Sequence, residues 1–193
     1  MFQIILILTG AWLIVLNYLI SKSEPKVIYK VSSKFFKKIE VKQISKQTVG
    51  LFIDNQLQGI NTDSEYITST YWHKIAQRAQ ERLQKKDTTI LLLGLGAGTV
   101  PQLIHNSNKQ VNFCIIEIDT AVLEISQRYF NLNQIKANST IVIGDIQKII
   151  NGSALPNESY DIIIVDIFAG DKTLINPITA NKKTFEFLKK YSN

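Results

Sequence analysis

Polar and apolar residues follow three different rhythms along this chain. Between residues 26 and 61, short runs such as Val27–Val31, Phe35–Ile44, Thr48–Ile53 and Gln56–Ile60 are rich in Val, Ile and Phe and are broken by turn residues such as Asp54-Asn55. That pattern predicts a small antiparallel sheet of three or four strands. From Thr62 onward the period lengthens. Thr62 followed by Glu65 has the form of a capping box, and a helix carrying Tyr66, Ile75, Ala79 and Leu83 on one face is expected to run to about Lys86. From Ile90 on, apolar runs alternate with helical stretches. The strands Ile90–Leu93, Val111–Ile118, Thr140–Ile143 and Tyr160–Ile167 are interleaved with helices at 99–106, 121–130 and 146–150, and a last helix covers Lys182–Tyr191. Such alternation predicts an α/β fold with a parallel sheet covered by helices.

A fourth pattern precedes these. Residues 2–20 carry no charge and are dominated by Ile, Leu, Val and Trp, a run just long enough to span a bilayer. No Lys or Arg comes before it, and Asn17-Tyr18-Leu19-Ile20 makes a poor signal-peptidase site. An uncleaved transmembrane anchor is therefore expected. Lys22, Lys26, Lys30, Lys34, Lys37 and Lys38 follow it, which places the carboxy-terminal part in the cytoplasm. The domain plan is an anchor at 2–20, a small β-sheet region at 26–61 and a nucleoside-binding Rossmann-like unit at 62–193.

Charge and composition narrow the chemistry. The net charge is +6, with lysines scattered rather than gathered into a stripe interleaved with aromatics, which argues against a nucleic-acid partner. Cys114, the one cysteine, lies in the apolar run VNFCII and reads as a core residue. His73 and His105 have no second histidine or acid at ligand spacing, so no metal is expected.

The candidate site lies at the carboxyl ends of the strands, where parallel sheets of this kind bind ligands. Strand Ile90–Leu93 runs into Gly94-Leu95-Gly96-Ala97-Gly98, a turn whose glycines let a ligand approach the backbone ahead of a helix. The next strand ends in Glu117, 23 residues after Gly94, near the spacing at which an acid holds ribose hydroxyls. The third is followed by Asp145, placed to accept from an adenine amino group, and the fourth carries Asp166. Thr99 stands where the dinucleotide fingerprint wants its third glycine, so an S-adenosylmethionine-type ligand is favoured over NAD.

The runs GLGAGTVPQLI, EIDTAVLEISQRYF, GDIQKII and YDIIIVDIFAGDK resemble the spermidine synthase (polyamine aminopropyltransferase) family and its membrane-associated members. The resemblance covers about Val27 to Tyr191. It implies a class I methyltransferase-like, Rossmann-like fold and transfer of an aminopropyl group from decarboxylated S-adenosylmethionine to a polyamine or other amine, without a metal. It assigns Glu117 to the ribose, Asp145 and the Ile146 backbone to adenine, and Asp166 to catalysis, with Gly94, Gly96 and Gly98 as the cofactor-binding turn. It leaves room for a homo-oligomer. Several family positions differ. Ala97 replaces an Asp in the glycine turn, Ala169 replaces a second strand-end aspartate (Asp171 is near), Phe36 replaces a Gln, and Thr68-Ser69-Thr70 stands where the family has Tyr-His-Glu. An S-adenosylmethionine-dependent methyltransferase and a non-catalytic nucleoside-binding module are the alternatives. The family's sheet has seven strands, so this chain, ending at Asn193, reads as truncated after strand four, with that strand left as an unprotected edge.

Overall fold

The computed structural model describes residues 4–5, 25–83, 87–152, 154–167 and 182–192. Two sheets organise it. The smaller is a four-stranded antiparallel meander of β2 (Lys26–Val31), β3 (Ile39–Gln43), β4 (Val49–Ile53) and β5 (Gln56–Ile60), paired in that order after a short first strand, β1 (Ile4–Ile5). The larger sheet has five parallel strands in the order β1, β9 (Ile162–Val165), β6 (Thr89–Leu93), β7 (Asn112–Glu117) and β8 (Ser139–Ile143). Ile90 to Leu93 are almost fully buried, as a strand covered on both faces requires. Each such side chain contributes about 1.5–3 kcal/mol on burial.

Helices α1 (Tyr71–Gln80), α2 (Thr99–Ser107), α3 (Thr120–Tyr129), α4 (Ile146–Gly152) and α5 (Lys182–Lys189) follow or precede the strands as the alternation predicts. α1 buries Tyr71, Trp72, Ile75, Ala76 and Ala79, a one-sided apolar stripe that packs with α2 and the strand face carrying Ile90, Leu92 and Ile115. The opposite sheet face, with Leu91, Leu93, Cys114 and Ile163, packs with Leu188 of α5 and Tyr160.

Three expectations change. The helix expected from Thr62 begins later: a 3₁₀ turn covers Ile67–Ser69, and Thr70 caps α1 by accepting from the His73 amide at 3.2 Å. Glu65 is drawn away from capping by two hydroxyls, accepting from Ser45 and, at 2.6 Å, from Thr48. Regular helix stops at Gln80, and Lys85-Lys86 lie outside the described residues.

The anchor is also revised. Among the described residues, no helix is long and apolar enough to cross a membrane. Within the run 2–20, Ile4–Ile5 form β1 and pair in parallel with Ile163 and Ile164 of β9; the remainder lies outside the described residues. An apolar stretch can satisfy its backbone on a sheet edge as well as within a helix in lipid. The single-pass membrane location and the cytoplasmic side derived from it are therefore withdrawn. The same pairing revises the bare edge expected at the fourth strand, because β1 covers β9 at two positions.

Candidate active site

The glycine turn is shaped by two close backbone approaches. Gly94 has φ +91°, and a Cβ there would overlap the carbonyl of Asp166 at the end of β9. Gly96 has φ +55°, and a Cβ there would lie 2.7 Å from the carbonyl of Gln58 on β5. Only glycine tolerates both the left-handed conformation and the absence of space. Gly98, the residue before α2, packs instead against Leu132 and lies outside the pocket wall.

Between this turn and the neighbouring strand ends lies a pocket of about 270 Å³. Gly94, Gly96, Glu117, Asp145, Ile146 and Asp166 all line it, so of the seven predicted site residues only Gly98 stands apart. The sheet order fixes their sequence across the crevice: Asp145 follows β8, Glu117 ends β7, the glycine turn follows β6 and Asp166 follows β9. Adjacent strands lie about 4.8 Å apart, so the crevice spans roughly three strand spacings from Asp145 to Asp166.

Glu117 is buried, and both its oxygens are held by the backbone. Oε2 accepts from the Leu95 amide and Oε1 from the Asp119 amide, each at 2.9 Å. Burial raises its pKa, while these amide donors act in the opposite direction. Each carboxylate oxygen can accept more than one hydrogen bond, so the outer lone pairs remain for a vicinal diol. Asp145 caps α4 by accepting from the Gln147 amide at 2.9 Å.

Asp166 sits deep in the pocket, and burial pushes its pKa up to about 6, with the Tyr71 hydroxyl lowering it in part. That hydroxyl, at the start of α1, is 3.4 Å from Asp166 Oδ1, a long contact that leaves space at the carboxylate. Burial, then the Asp166 charge, raises the Tyr71 pKa well above the usual phenol range, so Tyr71 stays protonated. The expected stretch Thr68-Ser69-Thr70 occupies the 3₁₀ turn and the helix cap, whereas Tyr71 reaches the site. Only its place at the head of an amphipathic helix hinted at this in the sequence.

The small sheet closes the pocket from above with Phe35, Phe36, Ile53 and Gln58. Ser33 holds the Phe35-Phe36 turn: its Oγ accepts from both of their amides at 3.1 Å and donates to Asp119 Oδ2. Asp119 in turn caps α3 by accepting from Ala121 at 2.9 Å. Ala97 is buried among Val122, Ile125 and small-sheet residues rather than in the pocket wall. Ala169 and Asp171 lie outside the described residues. Among the described residues no group of three or more His, Cys, Asp or Glu is placed to hold a metal. Cys114 is buried in β7, and His105 is buried in α2 with burial, then Lys109, lowering its pKa.

This arrangement is the class I methyltransferase-like α/β fold joined to a small antiparallel sheet. Over 86 residues, 45% of the chain, the sequence is 35% identical to the polyamine aminopropyltransferase of Vibrio vulnificus (strain CMCP6), covering 28% of that protein. Over 99 residues it is 29% identical to the mouse (Mus musculus) eEF1A lysine and N-terminal methyltransferase, covering 50% of this chain and 14% of that one. Among solved structures, a spermidine synthase in complex with the transition-state analogue AdoDATO aligns over 87% of this chain and 55% of its own, with TM-score 0.65 and 17% identity. Human methyltransferase-like protein 13 in complex with SAH aligns over 67% of this chain and 61% of its own, with TM-score 0.52 and 23% identity. No protein-family model matches the chain. The chain is thus homologous to polyamine aminopropyltransferase and to methyltransferases, and it spans only part of the length of each relative. Nothing in these findings supports a membrane-associated type.

Proposed function

We propose that the crevice binds an adenosyl-sulfonium donor, decarboxylated S-adenosylmethionine, and transfers its aminopropyl group to an amine. The observation that carries this reading is the order of groups along one crevice: Asp145, Glu117, the glycine turn, then Asp166 beside Tyr71. Glu117, fixed by two amides, presents free lone pairs to a ribose diol. Asp145 and the Ile146 backbone lie one strand further on, in reach of an adenine edge. The sulfonium then falls at the glycine turn, and the transferred carbon chain points toward Asp166.

Asp166 has the properties its role requires. Free alkylamines are mostly protonated at pH 7 and must lose a proton to attack. A carboxylate buried enough to titrate near 6 holds the ammonium and then accepts its proton better than an ordinary aspartate. Tyr71, as a neutral donor, orients the carboxylate without neutralising it.

A second reading, methyl transfer from S-adenosylmethionine, is favoured by Ala97, which puts no carboxylate at the glycine turn to hold the amine of an aminopropyl tail, and by the mouse methyltransferase match. Calorimetry of the full chain with both donors separates them. Tighter binding of the decarboxylated donor supports aminopropyl transfer; preference for S-adenosylmethionine replaces it with methyl transfer. Asp166→Asn is expected to bind donor and lose transfer under the first reading.

A further inference from the structure

The reactive end of the crevice is poor in charge. Beyond the glycine turn its described wall is made by Tyr71, Gln58, Asp166 and Ile167. The other two carboxylates that line the pocket, Glu117 and Asp145, stand on β7 and after β8, toward the opposite end, and each already accepts from backbone amides. No Lys or Arg lines the pocket among the described residues. One carboxylate therefore faces the acceptor, with a phenol, an amide and an aliphatic side chain around it.

We infer that the acceptor is an amine with a single basic nitrogen on an uncharged, largely apolar body, and not a polycationic polyamine. This rests on the reading of the crevice as an aminopropyltransferase site. A diamine brings two ammonium groups, and both are mostly charged at neutral pH. One is matched by Asp166. The second is placed against Tyr71, Gln58 and Ile167, where no carboxylate replaces its lost water, and an unpaired charge in such a place is strongly disfavoured. An alkyl group of the same length loses no such hydration and gains apolar contact.

The step itself is a simple displacement. The lone pair of the acceptor nitrogen forms a bond to the aminopropyl carbon attached to sulfur. The carbon–sulfur bond breaks with its electron pair passing to sulfur, so the sulfonium becomes a neutral thioether. The proton leaves the nitrogen for the Asp166 carboxylate, and no oxidant or reductant is consumed.

The test compares n-pentylamine with 1,4-diaminobutane, which have equal numbers of heavy atoms, as acceptors for the full chain with decarboxylated S-adenosylmethionine. The expected result is a kcat/KM at least tenfold higher for pentylamine. Equal use of the two, or preference for the diamine, overturns the inference. Gln58→Glu is expected to shift the preference toward the diamine by tenfold or more, because it adds the missing carboxylate with little change of shape; an unmoved ratio also overturns it. Donor binding is measured alongside by calorimetry. A chain that binds no donor fails the transferase reading itself. If the donor binds without turnover, the two amines are competed for the donor-loaded protein: tighter binding of pentylamine supports the inference, and equal or tighter binding of the diamine overturns it.

Discussion

The hydroxyl of Ser33 donates a hydrogen bond to the carboxylate of Asp119, joining the turn after β2 to the start of α3 across 86 residues of sequence. Asp119 is two residues from Glu117 and donates its own amide to that side chain. The aromatic turn that roofs the pocket and the carboxylate on its floor are therefore tied through one residue. Ser33→Ala removes the donor to Asp119 and the acceptor for two amides. It is expected to destabilise the fold by about 1–2 kcal/mol, since each hydrogen bond contributes about 0.5–1.5 kcal/mol net. It should also weaken donor binding severalfold. Urea denaturation and calorimetry check the two effects separately.

Glu117→Gln keeps the shape of the side chain but exchanges one acceptor oxygen for an NH₂ group. One of the Leu95 and Asp119 amides then meets a donor instead of an acceptor. Donor affinity is expected to fall by about tenfold or more, in line with loss of a hydrogen bond to a charged group. Isothermal titration with the donor reads it directly, and circular dichroism shows whether the fold is kept.

Asp166 should leave a mark on the pH dependence of both rate and stability. Its pKa is raised from 3.8 to about 6, so between those values the folded chain binds more protons than the unfolded one. Stability contributed by this group is thus present at low pH and is lost as pH rises through about 6, by an amount on the order of 3 kcal/mol. Transfer activity moves the other way, rising with pH through about 6 as the carboxylate becomes available. Asp166→Asn should flatten the stability change over this range and abolish transfer. Thermal denaturation at pH 4, 5, 6 and 7 gives the first result, and single-turnover assays give the second.

Gly94→Ala forces a Cβ into the Asp166 carbonyl at a φ of +91°. The residue cannot relax without moving the end of β9, so a loss of more than about 2 kcal/mol is expected. Gly98→Ala, at φ +73°, also costs stability, but it should spare donor affinity because Gly98 lies outside the pocket wall. Chemical denaturation and donor titration of the two variants distinguish these outcomes.

Much of this site could be read in the sequence because its parts are local. The run Ile90–Leu93, the glycines after it, and the acids closing the next strands are each defined within a few residues, and parallel pairing then forces them side by side. What escaped reading depends on distant partners. Tyr71 meets Asp166 across 95 residues, and Ser33 meets Asp119 across 86. Glu65 had the right spacing for a capping box, yet Ser45 and Thr48, brought near by the small sheet, took its carboxylate. The uncharged run near the start satisfied the composition of a membrane helix. Composition could not reveal that Ile4–Ile5 would lie along β9.

The glycine turn is held on one side by the carbonyl of Asp166 and on the other by that of Gln58, main chain against main chain with no side chain between. Distances at the reactive end are thus set by peptide groups, whose chemistry mutation cannot alter. The side chains of Gln58 and Tyr71 project from that rigid junction and are free to vary. A scaffold built this way can exchange one acceptor for another through a single codon, keeping the donor in place while its chemical partner changes over evolutionary time.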